Sequence, residues 1–333
     1  MKPIEQYDNQ HLIDPQGRSI GYLRLSLTPA CPMRCSYCRP EVIDDLPNQN
    51  TLNVNQIETL VRHLVEHWGL HKVRLTGGEP TVRRDLLQII ERLSTIDSLT
   101  DLAMTTNGLT LARDAQALHD AGLRRINISL DSLRTETFEN MTGIKGLPRV
   151  IQGIHAAMES GLTPIKINTV VLAGDNADQL PELVQFAAER DLEIRFIELM
   201  PMGPLANQWA ERYVPESQMR DALSTVISHW QPLEQKHDSA RCFRVHLRNG
   251  QHVTIGFITP MSCNFCDACN RLRLTASGDI YPCLMDQPRG NIMSAFAGKF
   301  DPIHFDTLLQ QSLKDKAEEH PINGFTTMTI LGG

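Results

Sequence analysis

A chain of 333 residues, 41% hydrophobic and 21% charged, is long enough for one large α/β domain or two smaller ones with a buried core. Its formal charge of −7 argues against a broad cationic surface for a nucleic-acid polymer, yet leaves room for a local Arg/Lys cluster that grips a small phosphorylated ligand. The first twenty residues hold no apolar core of signal-peptide length and no run of eighteen apolar residues occurs, so the expectation is a cytoplasmic protein with no membrane partner.

From about residue 21 the sequence alternates short strand-like runs with amphipathic helical stretches, the mark of repeated βα units around a parallel sheet. The strand candidates in order are Gly21 to Thr28, Lys72 to Gly77, Asp101 to Asn107, Arg125 to Asp131, Ile165 to Val171 and Glu193 to Leu199. Between them lie helical segments such as VNQIETLVRHLVEHWG, DLLQIIERLS and QLPELVQFAAER, with apolar residues three and four apart. Six such units predict an α/β fold: an incomplete parallel (βα)6 barrel of the TIM type, open where two further strands would close it. After Met200 the rhythm changes to a Pro- and Gly-containing link, one helix, two short strands around RNG and a second group of cysteines. This reads as a C-terminal α+β extension, with the boundary near residue 205 dividing 1–205 from 206–333.

Eight cysteines in a chain without export signals read as metal ligands or catalytic thiols, because the cytosol keeps thiols reduced. Cys31, Cys35 and Cys38 follow the first strand candidate; Cys263, Cys266, Cys269 and Cys283 lie near the C-terminus, and Cys242 stands apart as an expected buried, small apolar residue. In parallel barrels reactive groups collect at the C-terminal ends of strands. Here those ends run into the three-cysteine loop, TGGEP, TTNG, SLDS and ELMPMG. Three soft thiolates suit an iron–sulfur or zinc site, and three ligands leave one metal position open where four would close it.

The C-x3-C-x2-C spacing, followed by GGE after the next strand, resembles the radical S-adenosylmethionine superfamily. That resemblance implies a [4Fe–4S] cluster on Cys31, Cys35 and Cys38, with S-adenosylmethionine on its open iron. It places Tyr37 beside the cofactor, Gly77, Gly78 and Glu79 at its methionine end, and Ser129 and Met200 in its pocket. A glycine at 78 is expected to let a ligand approach the backbone. On its own, GGEP also fits a strand-ending turn.

The second group, CNFCDACNRLRLTASGDIYPC, carries Cys266 and Cys269 as a C-x2-C pair with thirteen residues before Cys283, and Arg271 and Arg273 directly after the pair. It resembles the molybdenum cofactor biosynthesis protein A family, the GTP 3′,8-cyclases, and the likeness covers nearly the whole chain. The family implies a second [4Fe–4S] cluster on Cys266, Cys269 and Cys283, and GTP held by Arg24, Lys72, Arg74, Thr105, Lys166, Arg195, Arg271 and Arg273. Arg24, Arg271, Arg273 and the terminal Gly332 and Gly333 take catalytic roles in this likeness. It further implies radical chemistry in which hydrogen leaves the ribose C3′ of GTP and the sugar joins C8 of guanine. The implied partners are a flavodoxin- or ferredoxin-type electron donor and cyclic pyranopterin monophosphate synthase as the next enzyme, with a homodimer left open. A triphosphate suits so many inward cations, since guanidinium forks match phosphate oxygens; the alternative is that Arg24, Arg74 and Arg195 point outward and snorkel between helices.

Other readings stay open on the sequence. Cys263 lies three residues before Cys266 and would complete a closed four-thiolate site. An auxiliary cluster also occurs in radical enzymes acting on peptides or other small molecules, and a non-catalytic iron–sulfur or zinc protein would use similar ligands. Pro29-Ala30, Arg39-Pro40 and Asp238-Ser239-Ala240 depart from the family pattern, the first two beside the first cluster. His63, Glu66 and His67 spell a zinc-peptidase H-x-x-E-H, but the apolar face of Ile57, Leu60, Val61, Leu64 and Trp68 leaves both histidines on or beside the polar side of a solvated helix.

Overall fold

The computed structural model describes residues 11–38, 51–234, 239–321 and 331. Gly332 and Gly333 lie outside the described residues, as do Arg39, Pro40 and Asp238. Among the described residues eleven strands form one sheet in the order β11-β10-β1-β2-β3-β4-β5-β6-β9-β8-β7. The six strands expected from the βα rhythm stand in unbroken sequence order at its centre: β1 (Tyr22–Ser26), β2 (Lys72–Thr76), β3 (Asp101–Thr106), β4 (Arg125–Ser129), β5 (Ile165–Val171) and β6 (Glu193–Glu198). All five pairings between them are parallel.

The part after residue 205 is woven into this sheet. It supplies β7 (Ile227–Pro232), β8 (Ala240–Leu247), β9 (His252–Ile258), β10 (Arg271–Leu274) and β11 (Ile280–Tyr281). β9 pairs parallel with β6 and β10 pairs parallel with β1, so the open edges of the six-stranded unit are each extended by a strand from the C-terminal region. An edge strand's unpaired N–H and C=O groups need partners, and both edges find them here. The two strands around RNG are eight and seven residues long, more than the short pair expected.

The helices are α1 (Val54–Trp68), α2 (Leu86–Ser94), α3 (Leu111–Asp120), α4 (Thr135–Thr142), α5 (Leu147–Glu159), α6 (Leu180–Ala188), α7 (Trp209–Arg212), α8 (Glu216–Leu223) and α9 (Pro302–Lys314). α1 shows why the chain is helical there. Asn53 and Gln56 form a reciprocal capping box, Gly69 ends the helix at φ 67, and Ile57, Leu60, Val61, Leu64 and Trp68 bury one stripe.

Along the central strands, apolar and polar residues alternate. On β5 the residues Ile165, Ile167, Thr169 and Val171 are buried, and Lys166, Asn168 and Val170 between them are half-buried. Parallel strands covered on both faces usually read as continuous apolar runs. The alternation therefore marks a polar interior facing the apolar layer that packs under the helices.

His63 departs from its expected solvated position. It is buried, and its Nε2 lies 2.8 Å from Asp306 Oδ1 on α9, which also accepts from Trp68 Nε1 at 2.7 Å. The histidine fastens α9 over α1. Cys242 is half-buried on β8, with Sγ 3.7 Å from the carbonyl of Ala240.

Candidate active site

One cavity opens at the C-terminal ends of the central strands, and it brings the two cysteine groups together. Cys31, Cys35, Cys38, Cys266, Cys269 and Cys283 all line it. Cys263 does not: it is exposed, in a turn where its carbonyl accepts from Thr259 Oγ1 at 2.9 Å.

The two C-x2-C pairs share a local geometry. Cys38 N donates to Cys35 O at 2.9 Å and Cys269 N donates to Cys266 O at 3.0 Å, so each pair closes a tight turn. Burial pushes the Cys35 thiol up, as do Asp131 and the neighbouring Cys38 and Cys31. Burial likewise pushes up Cys266 and Cys283, and each feels its neighbours in the second group. For Cys269, burial is outweighed by Lys316 and Arg271, and its thiol is pulled down.

The three soft thiolates of each group suit an iron–sulfur cluster, whose cysteines sit on different irons. Three thiolates per group leave one position of such a cluster for another ligand.

The first cysteine loop is docked by backbone alone onto the end of β2. Gly78 N donates to Thr28 O at 2.6 Å and Glu79 N to Ala30 O at 2.8 Å. A Cβ on Gly78 would sit 2.3 Å from Ala30 O, and one on Gly77, whose φ is +147, would sit 2.5 Å from Thr28 O. The glycines are thus required by the cysteine loop itself, and both also line the cavity. The Pro29-Ala30 departure is harmless to this contact, which uses main-chain groups.

Glu79 is fully buried and burial pushes its carboxyl up, against the donors that favour the charged form. Its Oε1 accepts from Thr81 N, Thr81 Oγ1 and Thr106 Oγ1, and its Oε2 accepts from Asn107 N at 2.6 Å. Glu79 borders the cavity, and its Oε2 has acceptor capacity beyond the bond from Asn107 N. Ser129 and Met200 also line the cavity, and Tyr37 donates from its hydroxyl to Asp131 Oδ2 at 2.8 Å.

The arginines point inward. Arg74, Arg195, Arg271 and Arg273 are buried, and with Arg24 and Thr105 they line the cavity. Strand register sets Arg24 abreast of Arg74 on one side and Arg273 on the other. Burial, then the nearby charges of Arg24 and Arg271, pull Arg273 down to about 9. Such crowding is relieved by an anion. Among the described residues, Arg74 Nη1, Thr105 Oγ1, Asn127 Oδ1 and Asn168 Oδ1 are buried and have no hydrogen-bond partner.

Lys72 and Lys166 differ from the expectation that groups them with these arginines. They share the inward parity of Arg74 and Asn168 but sit toward the N-terminal ends of β2 and β5, outside the cavity lining. Asp101 holds Lys72 at 3.6 Å and Glu193 holds Lys166 at 3.2 Å.

The sequence reading missed Tyr22, Asn107, Asn127, Asp131 and Asn168. Asn127 and Asn168 lie in strands, where asparagine is disfavoured, and that mismatch was a usable signal. Asn107 Nδ2 lies 3.9 Å from Cys31 Sγ, a relation that only the fold reveals.

The mostly parallel sheet, with a three-cysteine loop after β1 and a glycine-rich turn after β2, defines a radical S-adenosylmethionine fold. The family described as the Radical SAM superfamily matches residues 25–187, and that described as Molybdenum Cofactor Synthesis C matches residues 192–322. The GTP 3′,8-cyclase of Listeria monocytogenes serotype 4b is 39% identical over 314 residues, covering 93% of this chain and 92% of its own. That of Pelotomaculum thermopropionicum is 43% identical over 274 residues (82% and 84%), and GTP 3′,8-cyclase 1 of Pseudomonas aeruginosa is 40% identical over 322 residues (96% and 96%). The chain belongs to the GTP 3′,8-cyclase family of the radical SAM superfamily. Membership carries S-adenosylmethionine and a [4Fe–4S] cluster as cofactors. Among solved structures, Streptococcus suis SuiB bound to its precursor peptide SuiA superimposes with a TM-score of 0.58 at 15% identity, over 91% of this chain and 75% of that one. Native anSMEcpe with bound AdoMet gives 0.51 at 14% identity, over 91% and 93%. At those identities the likeness is one of fold.

Proposed function

We propose that this chain is a GTP 3′,8-cyclase that converts GTP to (8S)-3′,8-cyclo-7,8-dihydroguanosine 5′-triphosphate in molybdenum cofactor biosynthesis. The observation that carries the reading is that both cysteine groups and the inward arginines line one cavity. Cys31, Cys35 and Cys38 hold the first cluster; Cys266, Cys269 and Cys283 hold a second [4Fe–4S] cluster, with Cys263 outside it. The cluster held by Cys31, Cys35 and Cys38, with S-adenosylmethionine, would supply the radical chemistry that the cyclisation of GTP requires.

The chain's own residues bind, orient and exclude water. Glu79 accepts from the cofactor's amino group, Gly77 and Gly78 keep the cysteine loop against β2, and Tyr37, Ser129 and Met200 border the cofactor. Arg24, Arg74, Thr105, Arg195, Arg271 and Arg273 hold the triphosphate, so that the reacting atoms start close and aligned. Lys72 and Lys166, outside the cavity lining and held by Asp101 and Glu193, back this cation cluster from the N-terminal side of the strands. Residues 1–205 thus bring the first cluster's ligands with Arg24, Arg74, Thr105 and Arg195, and residues 206–333 the second cluster's ligands with Arg271 and Arg273. Gly332 and Gly333 are assigned to the same site by the family likeness.

A flavodoxin- or ferredoxin-type donor supplies electrons, cyclic pyranopterin monophosphate synthase takes the product, a homodimer is the assembly suggested by the family, and the cytoplasm is the compartment suited to reduced thiols. Among the described residues no helix is long and apolar enough to cross a membrane.

The test is anaerobic turnover of reconstituted protein with a reductant, S-adenosylmethionine and GTP. The expected result is one cyclised nucleotide for each 5′-deoxyadenosine formed. Formation of 5′-deoxyadenosine without a GTP-derived product overturns the assignment of substrate.

A further inference from the structure

Tyr22 lies on the cavity lining, 5% exposed, in the middle of the cation cluster. Its neighbours in register are Lys72 on β2 and Arg271 on β10. Its hydroxyl accepts from Arg74 Nε at 2.7 Å, Lys72 Nζ stands 4.7 Å from its ring centre, and the guanidinium carbons of Arg271 and Arg74 stand at 5.9 and 6.0 Å. The charged groups facing it are Arg24 on its own strand, Lys72 and Arg74 from β2, and Arg271 and Arg273 from β10; Asp101 of β3 reaches this ring through Lys72 at 3.6 Å. A phenol set among buried cations can do more than accept a hydrogen bond: its oxygen can carry negative charge that the cations favour.

We infer that Tyr22 is the resident counter-anion of a polyphosphate subsite, exchanged for substrate phosphate on binding, so that taking up a polyphosphate is coupled to protonation of the Tyr22 oxygen. The inference rests on the reading of this cavity as the GTP site and adds a residue and a proton to it.

Burial alone would raise the Tyr22 phenol, but Arg74, Arg24, Lys72 and Arg271 together bring it down to about 7. Phosphate oxygens placed among the same cations cancel their field and add negative charge beside the phenol, which favours its neutral form. The sign follows. Below about 7 the phenol is already protonated and binding takes up nothing; above about 7 each binding event takes a proton from solvent, and affinity falls as pH rises.

The experiment is calorimetry on the anaerobically reconstituted holoenzyme at pH 8, in two buffers of different ionisation enthalpy. The probes are GTP and inorganic tripolyphosphate, and the proteins are wild type and Tyr22→Phe, which keeps the ring. At that pH the phosphates are already ionised; because Arg273 also feels Tyr22, tyrosinate absorbance, to which Arg273 contributes nothing, assigns the proton to Tyr22. The wild type is expected to take up about one proton per polyphosphate and to lose affinity toward about tenfold per pH unit above pH 8, while Tyr22→Phe takes up nearly none and stays flat. Equal proton uptake in the two proteins overturns the inference. Binding of tripolyphosphate with Tyr22-dependent uptake, but no binding of GTP, upholds it and sinks the GTP reading; binding of neither probe by the wild type sinks both. In the wild type alone, loss of tyrosinate absorbance on adding tripolyphosphate reports the same event, and an unchanged difference spectrum counts against it.

Discussion

Asn107 and Glu79 tie the ends of two neighbouring strands to the first cysteine loop: Asn107 N donates to Glu79 Oε2 at 2.6 Å, and its carboxamide reaches to 3.9 Å from Cys31 Sγ. Four protein donors hold this buried carboxyl in place, and the proposed function makes it the acceptor of the cofactor's amino group. In Glu79→Gln one end of the side chain becomes a donor and must face Asn107 N–H or the threonine donors. The expected result is a loss of about 1–3 kcal/mol of stability and at least about a tenfold weaker affinity for S-adenosylmethionine. Equilibrium binding to the reconstituted protein checks this, and unchanged affinity contradicts it.

Gly78→Ala tests why the glycine is there. With its Cβ 2.3 Å from Ala30 O, alanine must push the Cys31–Cys38 loop off β2. Reconstituted protein should lose about half its iron while keeping the spectroscopic signature of the second cluster. Full iron with weakened cofactor binding would instead mean that the glycine serves the ligand.

Glu198 does for the second cysteine group what Glu79 does for the first. It is buried at the end of β6 and accepts from Met261 N, Ser262 N, Ser262 Oγ and Glu216 N, fixing the turn that leads into Cys266. Glu198→Ala orphans these donors, at about 1–3 kcal/mol for each one that water cannot reach. A lower melting temperature with preferential loss of the second cluster is expected; equal loss from both clusters would show that the effect is not local.

The central strands were legible because their ends coincide with changes of chemistry: cysteines, Gly-Gly-Glu and Thr-Thr-Asn-Gly each follow an apolar run. β10 was not, because Arg271–Leu274 reads RLRL, and two arginines in a four-residue strand resemble a loop until the fold sets them against Tyr22 and Arg24. The cysteine triplets were legible from spacing, whereas their sharing of one cavity depends on β9 and β10 closing onto opposite edges of the sheet, a long-range pairing with no local signal. Lys72 and Lys166 look equivalent to the arginines in sequence; the carboxylates that hold them come from neighbouring strands.

Asp131 gives the protein a dependence on pH. Burial raises its carboxyl to about 6, even though Tyr37 and the backbone N–H of Val170 donate to it. The folded state therefore keeps a proton that the unfolded chain releases near pH 4, and stability falls as pH rises through about 4 to 6. By pH 7 the ionised group costs about 3 kcal/mol. Asp131→Asn should flatten the change in melting temperature between pH 5 and pH 7; an identical profile in both proteins contradicts the assignment.

The most direct measurement is the iron and sulfide content of anaerobically reconstituted protein, wild type against Cys266→Ala and Cys263→Ala. Two three-cysteine sites predict about eight irons per chain, about four after Cys266→Ala and about eight after Cys263→Ala. If the Cys263 variant also falls to about four, the second site is closed by a fourth thiolate, no iron there is open to substrate, and the account is wrong.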